Sequence, residues 1–499
     1  MMAVTSAPPQ ILTMEEYRRD WEPAGWELIT IGPTATWRQE WGEWEAIRDI
    51  VQNALDETDA YQYGYDREGM WISDRGKGVA VVDFLLGPAK LKPDYARGKF
   101  GEGMKIAALA LVRMGYNIHV ETVGRELWII FLEQKVNGRV ETLAALWRPD
   151  GVRVGTRFHI IGYHGSVFEK NFTINLPKSA LLASGPSPLG VPVQRFNQLL
   201  EPAFTDGPKI YARDIYMQDI RSPYSYNLWG FDMAPDRHGP KSEGDMWDDM
   251  GRLWCCVTNI TLMRTFLGMV HFPPIVESQE GQMINMTRWR LGADGVTGKG
   301  YFDYIGEAAA AWKIAWEREF GKDAVIRTSD RWDNMVKHLG YTPHGVNALV
   351  ADALGQAITT DKELIDASLE RLRDAEIIPD DKLSPTQLAH LELARAIAKR
   401  AHGGAPVRGV HASLIPPASD RVRTAGMYSR NTQEIYIDLN QLNSGHNTVD
   451  TVIHEMAHHT SGAEDLTEPH SVHMTRLASY VVDQTHKGDF DELMESVTW

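Results

Sequence analysis

The stretch His454-Glu455-Met456-Ala457-His458 decides how the C-terminal part of this chain is read. The residues around it predict a helix from Asn447 to His459, with Gly462 as its stop. Residues four apart share a helix face, so both imidazoles can reach one metal ion. Glu455 lies beside them and can take a proton from a water that such an ion activates. Val449, Val452, Ile453 and Met456 fall on an apolar face of the same helix, which marks the side that packs inward.

Upstream, Ser384-Pro385-Thr386-Gln387 is a strong helix start, with Ser at the cap, Pro at the first position and Gln three residues on. That helix runs to His402 and stops at Gly403-Gly404. Val407 to Ser413 and Glu434 to Leu439 read as strands. The order helix, strand, strand, motif helix resembles the zincin metallopeptidases. The resemblance implies an α+β domain over 381–499, a zinc ion, and hydrolysis of an amide bond in a protein or peptide substrate, with Glu455 as the base. In that family the strand before the motif helix lines the cleft and pairs with extended substrate, which here is Glu434 to Leu439. Tyr428 and Tyr436 are the candidates to steady the oxyanion, and the sequence places neither.

A catalytic zinc needs a third protein ligand and one open position. The downstream candidates are Glu464, Asp465, Glu468, His470 and His473. The metzincin pattern needs Gly at 461 and His or Asp at 464, where this chain has Ser461 and Glu464. His470 follows a Pro and opens the next helix, and small zincins of the SprT type supply a His after a loop of similar length. This reading favours His470, then Asp465. His446, His459 and His473 read as structural or surface residues.

The N-terminal part carries a second group of motifs. Arg48-Asp49-Ile50-Val51-Gln52-Asn53-Ala54-Leu55-Asp56 lies on a helix predicted from Trp44 to Glu57. Asp74-Arg75-Gly76-Lys77-Gly78 follows a strand from Met70 to Ser73, and Gly98-Lys99-Phe100-Gly101-Glu102-Gly103-Met104-Lys105 opens a helix ending near Val112. Glycines let backbone approach phosphate closely, and a helix N-terminus offers free N–H donors to an anion. Gly155-Thr156 sits on a late strand. Alone, each motif reads as an ordinary turn. Together, in this order, they resemble the GHKL superfamily (gyrase, heat-shock chaperone, histidine kinase, MutL) over residues 26 to 165. The resemblance implies ATP with Mg²⁺. Asn53 would hold the Mg²⁺, Asp74 would select adenine, and Gly76, Gly78 and Thr156 would line the base pocket. Gly98, Gly101, Gly103 and Lys105 would bind phosphate. Asp49 stands where the family has a water-activating Glu. It further implies a lid over 79–97 and a homodimer formed through the N-terminal domain, with Met14 to Trp26 exchanged between subunits.

The expected organisation is multidomain α+β: a GHKL-type α/β sandwich over 1–165, a transducer-like α/β domain over 166–300, a helical spacer over 301–380, and the zincin-like domain. Met246 to Val270 reads as one long helix and Lys209 to Asp219 as strand. The middle part should send a basic residue to the γ-phosphate, with Lys209, Arg237 and Lys241 as candidates. The chain has 499 residues and a net charge of −16, which argues against a dominant nucleic-acid surface. Two adjacent cysteines, Cys255 and Cys256, form neither a disulfide framework nor a CxxC knuckle, and point to a reducing cytoplasm. No signal peptide is visible, and the longest apolar runs are too short to cross a bilayer. The combined expectation is an ATP-regulated zinc peptidase. Its rivals are a chaperone-like or DNA-associated ATPase with a structural zinc, and a defence or toxin protease.

Overall fold

The computed structural model describes residues 7–58, 61–80, 97, 103–135, 138–149, 153–165, 168–185, 195–234, 238–287 and 300–499. It is mixed α/β with several sheets. The chain divides into two compact units, Met1–Val257 with Ser278–Tyr301, and Thr258–Glu277 with Phe302–Trp499. No described helix is long and apolar enough to cross a membrane.

The first unit is organised by the strand Arg125–Lys135, whose side chains alternate between two cores. Leu127, Ile129 and Phe131 face one core, while Ile130 and Leu132 face the other. Around it lies an eight-stranded sheet in the order Glu27–Thr34, Arg139–Pro149, Arg125–Lys135, Asn117–Thr122, Arg157–Ile161, Gly69–Ser73, Gln62–Tyr65, with Ile11–Thr13 added alongside Arg125–Lys135. Helices Glu43–Thr58 and Gly103–Arg113 cover one face, burying Ile47, Ile50, Leu55 and Leu109 against Ile118, Val120 and Ile160. Each such side chain contributes about 1.5–3 kcal/mol when fully buried. The other face is covered by Tyr17, Trp21 and Trp26.

Several local expectations change. Trp26 to Ile31 reads from the sequence as a strand ended by Gly32-Pro33, but the strand is Glu27–Thr34, passing through that pair with a register shift after Thr30. Lys209 to Asp219 is a hairpin, Lys209–Ala212 and Ile215–Asp219, turned by Arg213 and Asp214 at positive φ. It forms the edge of a five-stranded sheet with Ser225–Leu228, Gln198–Leu200 and Leu181–Ser184. The long helix read from Met246 to Val270 is two helices, Glu243–Cys255 and Ile260–Val270. Asn259 ends the continuity because its side chain accepts from the amides of Thr261 and Leu262 and so starts a new helix.

In the second unit, the stretch read as a helical spacer also holds a parallel strand pair, Ala324–Arg327 with Thr342–Gly345. The C-terminal sheet has the order Glu376–Ile377, Gly409–Leu414, Glu434–Asp438, Gly426–Ser429. Helices Pro385–Arg400 and Gly445–Ser461 share a core with it, in which Leu391 and Ile397 meet Val410, Ile435, Ile437, Val452 and Met456. The capping box at Ser384 forms as the sequence implies. Glu434–Asp438 is an interior strand, parallel to Gly409–Leu414 on one side and antiparallel to Gly426–Ser429 on the other. Glu434 to Leu439 is therefore no edge, and the sheet ends in Gly426–Ser429 on one side and Glu376–Ile377 on the other.

Candidate metal centre

Ser444 caps the motif helix through the amide of Asn447, and Gly462 closes it in the left-handed conformation at φ 64. The chain then turns sharply. Leu466 takes φ 60, and Thr467 caps the next helix, Glu468–His486, through the amide of His470. This turn brings Asp465 and His470 back over the two motif histidines.

The Nε2 atoms of His454 and His458 lie 2.9 and 3.2 Å from Asp465 Oδ1, and that of His470 lies 4.0 Å away. One donor atom from each of the four residues falls within 4.8 Å of the others. Glu464 lines the adjoining cavity and stands outside this group. His458 Nδ1 is 3.0 Å from the carbonyl of Ala463, a contact that turns Nε2 toward Asp465. His470 Nε2 is 3.4 Å from the carbonyl of His454. His338, from helix Asp333–His338, reaches Asp465 Oδ2 at 3.6 Å.

The electrostatics follow from this packing. Burial works to raise the Asp465 carboxyl, but hydrogen bonds from His454 and His458 hold it far below the ordinary carboxylate range. The His454 imidazole is raised, first by its hydrogen bond to Asp465. Burial lowers His470. Burial pushes the Glu455 carboxyl up to about 7, against the pull of His454 and His458. A proton held between an imidazole and a carboxylate is exchangeable for a divalent cation, because both groups are electron-pair donors once deprotonated. Imidazole nitrogens with one carboxylate oxygen suit zinc.

Gly426 explains how the edge strand meets the motif helix. A Cβ there would lie 2.6 Å from Thr451 Cγ2 and 3.0 Å from Glu455 Cγ, so only glycine allows this approach. The backbone of Tyr428, two residues on, hydrogen-bonds Glu455. The Tyr428 hydroxyl meets His459 Nδ1 at 2.7 Å and lines the cavity, while Tyr436 donates to Glu434 at 2.9 Å. His473 Nδ1 is engaged with Thr460 Oγ1. The cluster of His454, His458 and Asp465 opens on a cavity of about 1120 Å³.

In the first unit, the residues singled out for nucleotide binding converge in part. Asp74 Oδ1 accepts from the amide of Gly76 at 2.7 Å, and the Asp74 amide donates to the Thr156 carbonyl at 2.9 Å. Thr122 Oγ1 joins Thr156 Oγ1 to the amide of Val79, and Gly78 lies against Thr122. Burial raises the Asp74 carboxyl. Asn53 Nδ2 donates to the Asp49 carbonyl at 2.7 Å. Asp49 is buried, 3.2 Å from Arg48 Nε, and its carboxylate faces the backbone of Gly103, where any Cβ would collide with it. Lys105 is buried. Gly98 and Gly101, most of the expected lid and Arg237 lie outside the described residues. Lys209 sits over the Tyr216 ring and the Lys241 amide donates to the Asp232 carbonyl.

Three participants escaped the sequence reading. His338 and the strand Gly426–Ser429 belong to the second unit, and Arg97 to the first. Arg97 donates to the carbonyls of Arg213 and Leu55 at 2.9 and 3.2 Å and pairs with Asp214, tying the residue before Gly98 to the middle hairpin. No protein-family model matches the chain, and a comparison with characterised proteins finds no significant match.

Proposed function

We propose that this chain is a zinc-dependent peptidase carrying a nucleotide site. The observation behind this reading is the meeting of His454, His458 and Asp465 at one point, with buried Glu455 beside them and a large cavity in front. Asp465 is the first choice of third ligand, since its Oδ1 meets both motif Nε2 atoms at 2.9 and 3.2 Å, and His470, whose ring centroid lies 4.7 and 4.3 Å from those of His454 and His458, is the alternative. Three protein ligands leave the open position that a catalytic site requires. A bound zinc ion would supply a polarised carbonyl and a water acidified toward neutrality. Glu455, buried beside the two histidines, accepts the proton of the attacking water and returns it to the leaving amine. Burial keeps that carboxyl away from competing bulk water.

Asp74, Gly76, Gly78 and Thr156 would hold the base of ATP, and Asn53 a Mg²⁺ ion at its phosphates. Nucleotide control of the peptidase, and pairing of two chains through the N-terminal domain, follow from the resemblance. Asp49 is better suited to holding the start of helix Gly103–Arg113 than to activating water, because it is buried and paired with Arg48.

A second reading has its own support. Should His470 ligate as well, four protein donors close the coordination sphere and the zinc becomes a structural staple. Glu455→Gln separates the two. The peptidase reading expects undiminished zinc and a loss of about 10²–10⁴-fold in peptide cleavage. Cleavage at the wild-type rate would refute it.

A further inference from the structure

The cavity in front of the metal-ligating group has an apolar wall that comes from the stretch read as a spacer. Met335 lies on helix Asp333–His338 and Leu339 follows it, while Ile365, Leu369 and Leu372 lie on helix Asp361–Arg373. The last three are spaced i, i+4, i+7 and so share one helix face. That face is divided. Ile365 is packed into a small core with Val325, Val336 and Leu339, which fixes the helix. Leu369, one turn on, is 50% exposed and lines the cavity that His454, Glu455 and His458 also line. A lone exposed leucine needs no explanation. A leucine on an anchored helix, facing the same cavity as the candidate metal ligands and an edge strand, does.

The edge strand argues for the occupant. Gly426–Ser429 is the last strand in its sheet and lines the same cavity. Apart from the Tyr428 amide, which Glu455 takes, the outer edge offers backbone groups to an extended chain, while neighbouring pockets read its side chains. Charge does not choose the side chain here, because Arg423 and Arg430 share the lining with Asp450 and Glu464. At about 1120 Å³ the cavity exceeds the size typical of small-molecule sites, roughly 300–1,000 Å³.

Resting on the peptidase reading, we propose that helix Asp361–Arg373, with Met335 and Leu339, forms a side-chain subsite. It selects a bulky apolar residue (Leu, Met or Phe) of an extended, unfolded polypeptide, close to the bond that is cut. Leu369 is its specificity-determining residue.

The test uses the full zinc-loaded chain and a set of unstructured peptides that differ at one position: Gly, Ala, Leu, Phe, Asp or Lys. Cleavage is followed by mass spectrometry, and binding by fluorescence anisotropy with the Glu455→Gln form. The Leu and Phe peptides should be cut and bound about ten- to a hundredfold better than the Gly peptide. Leu369→Glu should collapse that ratio, and Leu369→Met should restore it. Cleavage with no apolar preference, or a preference indifferent to Leu369→Glu, overturns the subsite and leaves the peptidase reading standing. Apolar peptides that bind through Leu369 but are never cut support the subsite and sink the peptidase reading. Neither binding nor cleavage overturns both.

Discussion

Asp465 Oδ1 lies 2.9 Å from Nε2 of His454. This contact joins a loop residue to the first histidine of the motif, and the sharp turn at Leu466 makes it possible. It also separates two roles that the sequence leaves open. Asp465 meets both motif imidazoles through its carboxylate, whereas His470 sets its ring beside theirs, centroids 4.7 and 4.3 Å away, with Nε2 3.4 Å from the His454 carbonyl.

Asp465 should therefore matter more to zinc than His470. Asp465→Ala removes a ligand and should abolish tight zinc binding. His470→Ala removes a supporting group and should weaken it by about 10–100-fold. Competition titration against a chromophoric chelator measures both. Equal losses would make His470 a ligand of the same rank.

Gly426 should tolerate no side chain. Gly426→Ala places a methyl group against Thr451 and Glu455, in a contact between strand and helix that cannot widen without moving the edge of the sheet. Overpacking of this kind costs about 1–3 kcal/mol. Denaturant unfolding should report that loss, and a substitution without effect would show that the strand sits farther from the helix.

The C-terminus is clamped to the motif helix through His390. Fully buried, its Nδ1 lies 2.7 Å from the Leu442 carbonyl, and its Nε2 accepts from the Thr498 amide at 3.0 Å. Thr498 in turn accepts from the amide of Gly445, the first residue of the motif helix. His390→Leu leaves the buried Leu442 carbonyl without a partner, at about 1–3 kcal/mol, and releases the exposed Thr498 from its anchor. Hydrogen exchange at Thr498 and Gly445 should accelerate. Unchanged protection would mean that the tail is held by Val497 and Trp499 packing alone.

Nucleotide binding should depend on Asp74. Asp74→Asn exchanges an acceptor for a donor at the position expected to receive the adenine amino group. Losing a hydrogen bond to a charged group costs about 1.5–3 kcal/mol, roughly ten- to a hundredfold in affinity. Calorimetry with ATP should show that loss for Asp74→Asn and little change in GTP binding. Equal affinities for ATP in both proteins would remove Asp74 from the base pocket.

What could be read from the sequence was local. The motif helix announces itself by the apolar spacing of Val452, Ile453 and Met456 and by the stop at Gly462, and both histidines share its face as expected. The capping box at Ser384 was equally plain. The strand Gly426–Ser429 was not, because four residues of intermediate burial give no alternation to detect. The interior place of Glu434–Asp438 depends on that hidden neighbour. His338 carries no local signal either, since only the tertiary fold brings its helix to Asp465. The break at Asn259 was masked by apolar residues continuing on both sides, although an Asn in that position is a cap signal.

Zinc stoichiometry and affinity of the full chain test the central claim most directly. After dialysis against micromolar zinc and then metal-free buffer, elemental analysis should find about one zinc per chain. The His454→Ala, His458→Ala double variant should hold none. A wild-type chain that retains no zinc, or a double variant that retains as much as the wild type, would contradict the account.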